Sequence, residues 1–371
     1  MKILCNRIGL LDAFSKVSGV IPAKSPKPII QCAKLTVTED GSTLMGTDLE
    51  VGIRHTVPGV KIDRPGSVIL PTAQIGQILR TSTDEELSIE ADGERLVVRG
   101  LNSEFKLSTE DPDLFPEVPD FTAGEYLVVT PGNLRTLIRR TAFATDTEST
   151  RYALGGVLVE VDGSTLSMVG TDGRRLAKQT TNAEAEGKPG WPSSSPVIPV
   201  KALKLIDRNI DDDDPPVHLA FPSSSAVLIR TAEAVIYSRL VEGRFPKYQD
   251  VFPAAAGVKV TIEAGPFLGA ISQAQIATSN ESRGIDFEFS NGTLRLTANA
   301  ADIGASRVEL PIDYDGQTIA ITFDPRYLVD ALKTIEADES VTIDLIDGKS
   351  AAVLRTEDNF TYIAMPLTRE K

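Results

Sequence analysis

Apolar positions change their period along the chain in a fixed order, and the order recurs. Near the start, Leu10, Phe14 and Val17 fall at i, i+4, i+7 with Leu11 beside them, which predicts an amphipathic helix over 7–20. Strand-like runs follow over 29–37 and 44–57. After Leu70-Pro71, Thr72 is a candidate cap for a second helix whose Ile75, Ile78 and Leu79 face inward. Strands over 86–90, 95–98 and 104–108 come next, the first two joined by a turn at Asp92-Gly93.

A proline-rich link over 111–119 ends this series, and the same series then begins again. Thr130-Pro131 predicts a helix start, with Leu134, Leu137, Ile138 and Thr141 on one face. Strands over 155–161 and 165–169 are joined by Asp162-Gly163. Pro199-Val200-Lys201 opens another helix, and strands over 217–220, 226–230 and 234–240 close the copy. After Phe252-Pro253 comes a third version. It has a helix over 265–278, a hairpin over 285–296 turning at Asn291-Gly292, and a helix capped by Asp324 ahead of Pro325. The inner face of that helix carries Tyr327, Leu328, Ala331, Leu332 and Ile335. Strands over 340–346, 352–356 and 361–366 finish the chain.

Each copy is thus helix, strands, helix, strands over about 120–130 residues, the size of a whole domain rather than of a solenoid repeat. The expected class is α+β, with two helices per domain packed on antiparallel sheets, and with domains at 1–122, 123–253 and 254–371. The centre of the pattern is Val169-Gly-Thr-Asp-Gly-Arg-Arg-Leu-Ala177, where Asp172-Gly173 suits a tight turn. Gly46-Thr-Asp-Leu-Glu50 is its fainter first copy, and 296–300 holds the same place in the third copy without the turn.

Composition adds constraints. The 371 residues are 41% hydrophobic and 24% charged, which suits a globular protein with proper cores. No apolar run is long enough to cross a bilayer and the first residues lack a signal-peptide core, so a cytoplasmic protein without a membrane is expected. Two cysteines, Cys5 and Cys32, make neither a disulfide framework nor a zinc site. A net charge of −14 argues against an openly basic surface that grips DNA by counterion release.

The cations are nevertheless sorted. Arg135 and Arg139 lie at i, i+4 opposite the apolar stripe of their helix, with Arg140 adjacent. Lys201, Lys204 and Arg208 share one face of the next. Arg7 and Lys16 lie on the first helix, Arg80 on the second, Arg326 and Lys333 on the last. Acid gathers in strands and loops, such as Asp211 to Asp214. The far sides of the helices are therefore expected to form a surface less negative than the body, suited to loose phosphate contact.

With these features the sequence resembles the bacterial sliding clamp family, the β subunit of DNA polymerase III, along essentially its whole length. The matching stretches are Gly46–Glu50, Arg151-Tyr152, Thr171–Ala177, Leu240-Val-Glu-Gly-Arg-Phe-Pro-Lys-Tyr248 and Met365-Pro366-Leu367. The resemblance implies a head-to-tail dimeric ring, helices lining a central hole and sheets outside, through which double-stranded DNA passes without regard to sequence. It implies a non-catalytic homodimer with no cofactor or metal. Its partners would be the replicative DNA polymerase, the clamp loader, and other polymerases and repair proteins that carry a clamp-binding peptide with a Gln and bulky apolar residues. By motif match the peptide pocket, between the second and third domains, would use Leu154, Thr171, Gly173, Arg174, Arg175, Leu176, Pro246, Val251, Ile363, Met365, Pro366 and Leu367. Position 174 is Arg where the family often has His, 153 is Ala where an aromatic gate is common, and Asp250 stands where a cation is often found. DNA-facing residues would be Lys24, Lys27, Arg80, Arg135, Arg139, Lys201, Lys204 and Arg208, with a further contact from the region before Arg151-Tyr152. The subunit interface would join Phe105 and Leu107 to Ile276, Ala277 and Thr278.

Two other readings compete. An enzyme would need chemistry that is hard to find: the two histidines, His55 and His218, lie in strand-like runs, and no nucleophile elbow, Walker loop or His-Glu-x-x-His occurs. Asp211 to Asp214 has the composition of a divalent-metal loop but equally that of a solvated one, and Asp48 with Asp172 read better as turn formers than as an acid–base pair. A monomeric peptide-binding scaffold without DNA is the other, and ring closure separates it from a clamp. The loop around Trp191 reads as an exposed insertion.

Overall fold

A computed structural model of the chain describes residues 1–146, 148, 153–188, 195–253 and 257–367. The Trp191 loop core, Arg151-Tyr152 and the tail after Leu367 lie outside the described residues. Among the described residues there are six α-helices: α1 (Arg7–Ser18), α2 (Thr72–Thr81), α3 (Pro131–Thr141), α4 (Val200–Arg208), α5 (Ala264–Ala274) and α6 (Pro325–Leu332). None is long and apolar enough to cross a membrane. The strand pairings are antiparallel.

The chain forms two compact units, residues 1–135 with 183–240 and residues 136–182 with 241–371. In the first, a five-stranded sheet runs Val60–Arg64, Lys2–Asn6, Glu86–Asp92, Arg95–Arg99, Glu104–Ser108. A nine-stranded sheet runs Glu184–Glu186, Tyr126–Val129, Val217–Ser223, Ala226–Arg230, Ala234–Arg239, Val51–Thr56, Gly41–Thr47, Cys32–Thr38, Gly66–Pro71. Helix α1 lies beside α2 and packs on the strands Gly41–Thr47 and Val51–Thr56, burying Leu10, Phe14 and Val17 as its period predicts. In the second unit a long sheet contains, in order, Gly156–Asp162, Thr165–Thr171, Arg175–Asn182, Phe360–Ala364, Ala352–Arg355, Ser340–Leu345 and Val258–Glu263. A four-stranded sheet orders Gly304–Pro311, Thr293–Ala300, Ile285–Ser290, Ile319–Phe323. Its core holds Phe267, Phe287 and Phe323 edge to face, at 6.4 and 5.5 Å between centroids.

The middle repeat is divided between the two units because its outer strands are completed by neighbours. Ser238 pairs with Val51 and Ile236 with Ile53, which extends the first repeat's sheet. Arg175 pairs with Ala364 and Ala177 with Tyr362, which extends the third's. An edge strand leaves a row of unpaired N–H and C=O groups, and pairing across repeats removes two such edges.

Several local expectations change. Residues 29–31 form a 3-10 turn, Pro28–Gln31, whose proline at the first position suits a helical turn rather than a strand. The run 44–57 is two strands, broken at Asp48. Thr72 does not cap α2; it is that helix's first residue, and its hydroxyl is buried without a hydrogen-bond partner. Helix α5 stops at Ala274, and Gln275–Ala277 is a 3-10 turn. The proline-rich stretch is no free linker. Phe115 and Val118 are buried against Ile29, Ile30, Met45 and Ile69, while Lys34 Nζ and Arg54 Nη1 donate to the carbonyls of Pro112 and Val118 at 2.8 and 3.0 Å. Strands Val60–Arg64 and Gly304–Pro311 escaped the pattern reading because they lie at sheet edges, mostly exposed, where a strand keeps little apolar alternation.

Candidate functional site

The turn at 171–175 is built by its own side chains. Thr171 Oγ1 donates to the Arg175 carbonyl at 2.6 Å and accepts from Gly173 N–H at 3.1 Å. Asp172 Oδ1 accepts from the Arg174 and Arg175 amides at 2.9 and 3.0 Å. Gly173 takes φ 85°, the left-handed region that glycine enters without steric cost. The first copy repeats this bond for bond. Thr47 Oγ1 donates to Val51 O and accepts from Leu49 N–H, both at 2.9 Å, and Asp48 Oδ1 accepts from the Glu50 and Val51 amides at 3.0 and 2.7 Å. There the left-handed place is held by Leu49, at φ 81°. A leucine in that conformation costs about 1–2 kcal/mol, and asparagine tolerates it better. Leu49→Asn is therefore expected to stabilise the first unit by about 0.5–1 kcal/mol in urea unfolding; an unchanged or lower midpoint would show that the turn carries no such strain.

Arg175 anchors the turn to its surroundings. Its Nε donates to Asp172 at 3.0 Å, Nη1 to Asp330 of α6 at 2.7 Å and Nη2 to the Phe143 carbonyl at 2.9 Å. The guanidinium lies over the rings of Phe143 and Tyr327, at 5.4 and 4.9 Å. With its donors engaged and its side chain 11% exposed, it works as a strut more than as a free ligand for anything outside.

Beside this turn is a cleft of about 160 Å³, wholly within the second unit. Thr171, Gly173, Arg174, Arg175 and Leu176 form one wall, Pro246, Lys247, Tyr248 and Val251 another, and Ile363 with Met365 the third. Met365 N–H donates to the Arg174 carbonyl at 3.0 Å, which clips the end of the strand Phe360–Ala364 to the turn. Met365 and Val251 are 44% and 45% exposed, large apolar side chains held open to solvent. Lys247 and Tyr248 are additions to the residues expected from sequence. Tyr248 is buried, its hydroxyl donating to Glu160 at 2.5 Å and accepting from Lys178 at 3.2 Å. Burial, reinforced by the Glu160 carboxylate, holds this phenol protonated well above the usual tyrosine range. Leu154, Pro366 and Leu367 are not among the lining residues. Leu154 is buried, and the Leu367 amide is tied to the Thr322 carbonyl at 2.8 Å.

The cations expected to face DNA are unequal. Lys24, Lys27, Arg80, Arg139, Lys204 and Arg208 are exposed. Lys201, also exposed, is ion-paired with Asp48, and Arg135 with Asp212 at 2.7 Å and Asp207 at 3.7 Å. Arg7 caps the end of α2 through the Leu79 and Asp84 carbonyls, and Lys16 pairs with Asp12 and Glu233. Arg140, expected beside Arg139 on the outer side, points inward instead and is 5% exposed. In the acidic loop, Asp212 serves Arg135 and Asp214 accepts from the Asp211 amide at 2.8 Å, as in a self-satisfied turn. Glu148 is exposed.

At the expected subunit contact, Glu104–Ser108 is an edge strand with Phe105 36% exposed, and Ile276 is 73% exposed. Ala277 is buried, and the Thr278 hydroxyl is turned back onto the Gln275 carbonyl at 2.7 Å, so neither offers much surface.

Three protein-family models, for the N-terminal, central and C-terminal domains of the DNA polymerase III beta subunit, match residues 1–119, 128–247 and 249–368. The chain belongs to the bacterial sliding clamp family. A beta sliding clamp of Pseudomonas aeruginosa is 30% identical over 370 residues, covering 99% of this chain and all of that one. The crystal structure of the Pseudomonas aeruginosa clamp bound to griselimycin matches with a TM-score of 0.91 at 29% identity, each chain covered in full. The Bacillus subtilis clamp, at 24% identity and a TM-score of 0.92 over the full length of both chains, has the same fold. This clamp is a processivity factor of DNA polymerase III, a DNA sliding clamp that performs no chemistry of its own.

Tyr248 was legible in part, since it ends the Leu240–Tyr248 stretch that marks the clamp family. Lys247 lies in the same stretch, but a lysine between two wall residues reads as solvated surface.

Proposed function

We propose that two copies of this clamp close head to tail around duplex DNA, and that polymerases, the clamp loader and repair proteins dock a short peptide in the cleft beside Thr171–Leu176. The observation that carries the docking reading is the cleft itself. Val251 and Met365, from two separate segments, leave large apolar side chains uncovered there, around a turn fixed by a saturated hydrogen-bond network. Surface apolar side chains gathered in a concave site mark a binding site, and Met365 adapts to different occupants. The repeats at 1–122, 123–253 and 254–371 would be the domains of each subunit.

Ring closure is supported by free strand edges. Glu104–Ser108 ends one sheet and Gly304–Pro311 another, and exposed Phe105, Ile276 and Ile303 supply apolar contact. Lys106 and Glu104 on the first edge deter indiscriminate pairing. For DNA, Lys24, Lys27, Arg80, Arg139, Lys204 and Arg208 would make loose phosphate contacts. The ion pairs of Lys201 and Arg135 reduce the positive field further, which favours sliding over gripping.

Retention on DNA tests this reading. Clamp placed on nicked circular plasmid by its ATP-driven loader is expected to stay through gel filtration in high salt and to be lost when the plasmid is cut. Loss from the intact circle as salt rises would mean adhesion by counterion release, and the ring would be wrong.

A further inference from the structure

The first repeat meets the middle one where strand Ala234–Arg239 pairs with Val51–Thr56, and a histidine is buried in that seam. His55 lies between Leu44 on one neighbouring strand and Ala234 on the other, and is 1% exposed. Its Nδ1 is 2.7 Å from the Thr56 carbonyl. A carbonyl oxygen only accepts, so Nδ1 carries the proton and, in the neutral ring, Nε2 is left with a lone pair. Nε2 is buried with no hydrogen-bond partner among the described residues, and the atom it faces, 3.6 Å away, is a Glu233 carboxylate oxygen. Two acceptors thus confront each other. The same Glu233 oxygen takes Lys16 of α1 at 3.3 Å, and Lys16 also reaches Asp12 at 3.1 Å. The Glu233 carbonyl accepts the Thr56 amide at 2.8 Å, which closes the seam at its end. Around the ring, α1 therefore supplies Asp12 and Lys16, and the turn before Ala234 supplies Glu233. Strand Gly41–Thr47 has no titratable residue, and Ala234–Arg239 turns Ala234, Ile236 and Ser238 to the buried side. Arg54, next to His55, points away to the Val118 carbonyl.

We propose that His55, Glu233 and Lys16 form a proton-operated fastener between the first and middle repeats. With the ring neutral, Glu233 is held by Lys16 and the seam is closed. A proton taken from solvent at Nε2 turns the orphaned acceptor into a donor, draws the Glu233 carboxylate to the imidazolium and parts it from Lys16, which Asp12 retains. Glu233 also supplies the carbonyl that holds the Thr56 amide, so moving its side chain disturbs the last bond of the seam. The charged ring is disfavoured where it sits. It has lost its water, and its one facing carboxylate is 51% exposed and screened. Burial first, with the nearby Lys16 charge, holds the His55 pKa below the ordinary 6.5, although the Thr56 carbonyl, Glu233 and Asp12 pull it upward. For a base whose folded pKa is lowered, stability is complete above the unfolded value and declines as pH falls below it toward the folded one. Acid therefore loosens the seam rather than tightening it. The device belongs to the single chain and acts whether or not the ring is closed.

The test follows the two histidine rings of the full-length clamp by NMR, with a His218→Asn clamp to tell which signal is that of His55. His55 is expected to titrate below 6.5. Lys16→Met should move its midpoint up and Glu233→Gln should move it down, each by roughly half a unit, because both partners are partly exposed. Hydrogen exchange, corrected for its intrinsic pH dependence, should show the Thr56 amide losing protection several-fold between about pH 7.5 and about pH 5.5. The Tyr362 amide, in the second unit, should keep its protection over the same range. Three results would each overturn the fastener: a His55 ring that stays neutral down to about pH 4, a titration that ignores both substitutions, or a Thr56 amide as well protected in acid as at neutral pH.

Discussion

Replacing Arg140 with alanine is expected to destabilise the second unit by about 3 kcal/mol, the lower end of what breaking a buried ion pair costs. Arg140 is a heavily engaged side chain of α3. Its Nη1 reaches both Asp358 oxygens at 2.5 Å and Gln179 at 3.2 Å, Nη2 reaches Glu339 at 3.2 Å and Nε the Thr334 carbonyl at 3.3 Å. Its guanidinium also lies 5.2 Å from the centre of the Phe360 ring. These contacts tie α3 of the middle repeat to the turn before the strand Phe360–Ala364 and to the segment leading into Ser340–Leu345. Truncation would strand two carboxylates. Their side chains are 24% and 48% exposed, so water reaches both and the loss stays at the lower end of the range. Lysine keeps the charge but loses the fork, and Arg140→Lys should fall between the two. Equilibrium unfolding in urea measures this, and a change below about 1 kcal/mol would show that the network is dispensable.

The same network has a pH signature. Burial tends to raise the Asp358 pKa, but hydrogen bonds from Thr356 and Arg140 outweigh it and the group sits below the usual aspartate value. A lowered folded-state pKa contributes stability that is fully present above the unfolded value, about 3.9, and is lost as pH falls through the folded one. The Arg140→Ala clamp should therefore show a shallower loss of stability below about pH 4 than the unaltered clamp.

The second large effect separates two glycines that hold the same place in two repeats. A Cβ on Gly170 would lie 2.2 Å from the Thr141 carbonyl oxygen and 3.1 Å from its carbon, both backbone atoms at the end of α3. A Cβ on Gly46 would lie 2.8 Å from Val17 Cγ1 and 3.0 Å from Ile21 Cγ1, side-chain atoms rather than backbone. Gly170→Ala is expected to cost about 3 kcal/mol, the upper end for overpacking, and Gly46→Ala about 1 kcal/mol. Gly170 precedes the Thr171 turn, so the strand must shift where the cleft wall begins. Gly170→Ala should thus also weaken peptide binding several-fold, whereas Gly46→Ala, in the other unit, should leave it unchanged. Equal costs for the two would mean that the helix end yields as readily as a side chain does.

Much of this was legible beforehand. The apolar stripes of α1, α3 and α6 foretold their buried faces, because a helix must bury one side whatever surrounds it. Asp92-Gly93, Asp162-Gly163 and Asn291-Gly292 foretold hairpins, because the demand for positive φ is local; all three glycines adopt it. Most of the cleft wall could be named from the clamp motifs. Where the reading slipped, partners distant in sequence decided the outcome. Arg139 and Arg140 are neighbours in one run of charge, yet one is exposed and the other is held by residues some two hundred positions away. Ala277 lies in a stretch expected at the subunit contact, but the 3-10 turn rotates it inward and leaves Ile276 outside.

The sequence by itself determined the threefold order of elements, the α+β class, the turn chemistry at Asp48 and Asp172, and the clamp family, because periodicity, turn propensity and motif are carried by residues close together in the chain. Tertiary structure alone decided that the middle repeat lends its strands to both neighbours, that Arg140 and Arg175 are struts, and that Arg174 and Lys247 remain without an ion pair among the described residues. Strand pairing and charge pairing depend on which groups meet across long separations, and nothing in the local pattern specifies that meeting.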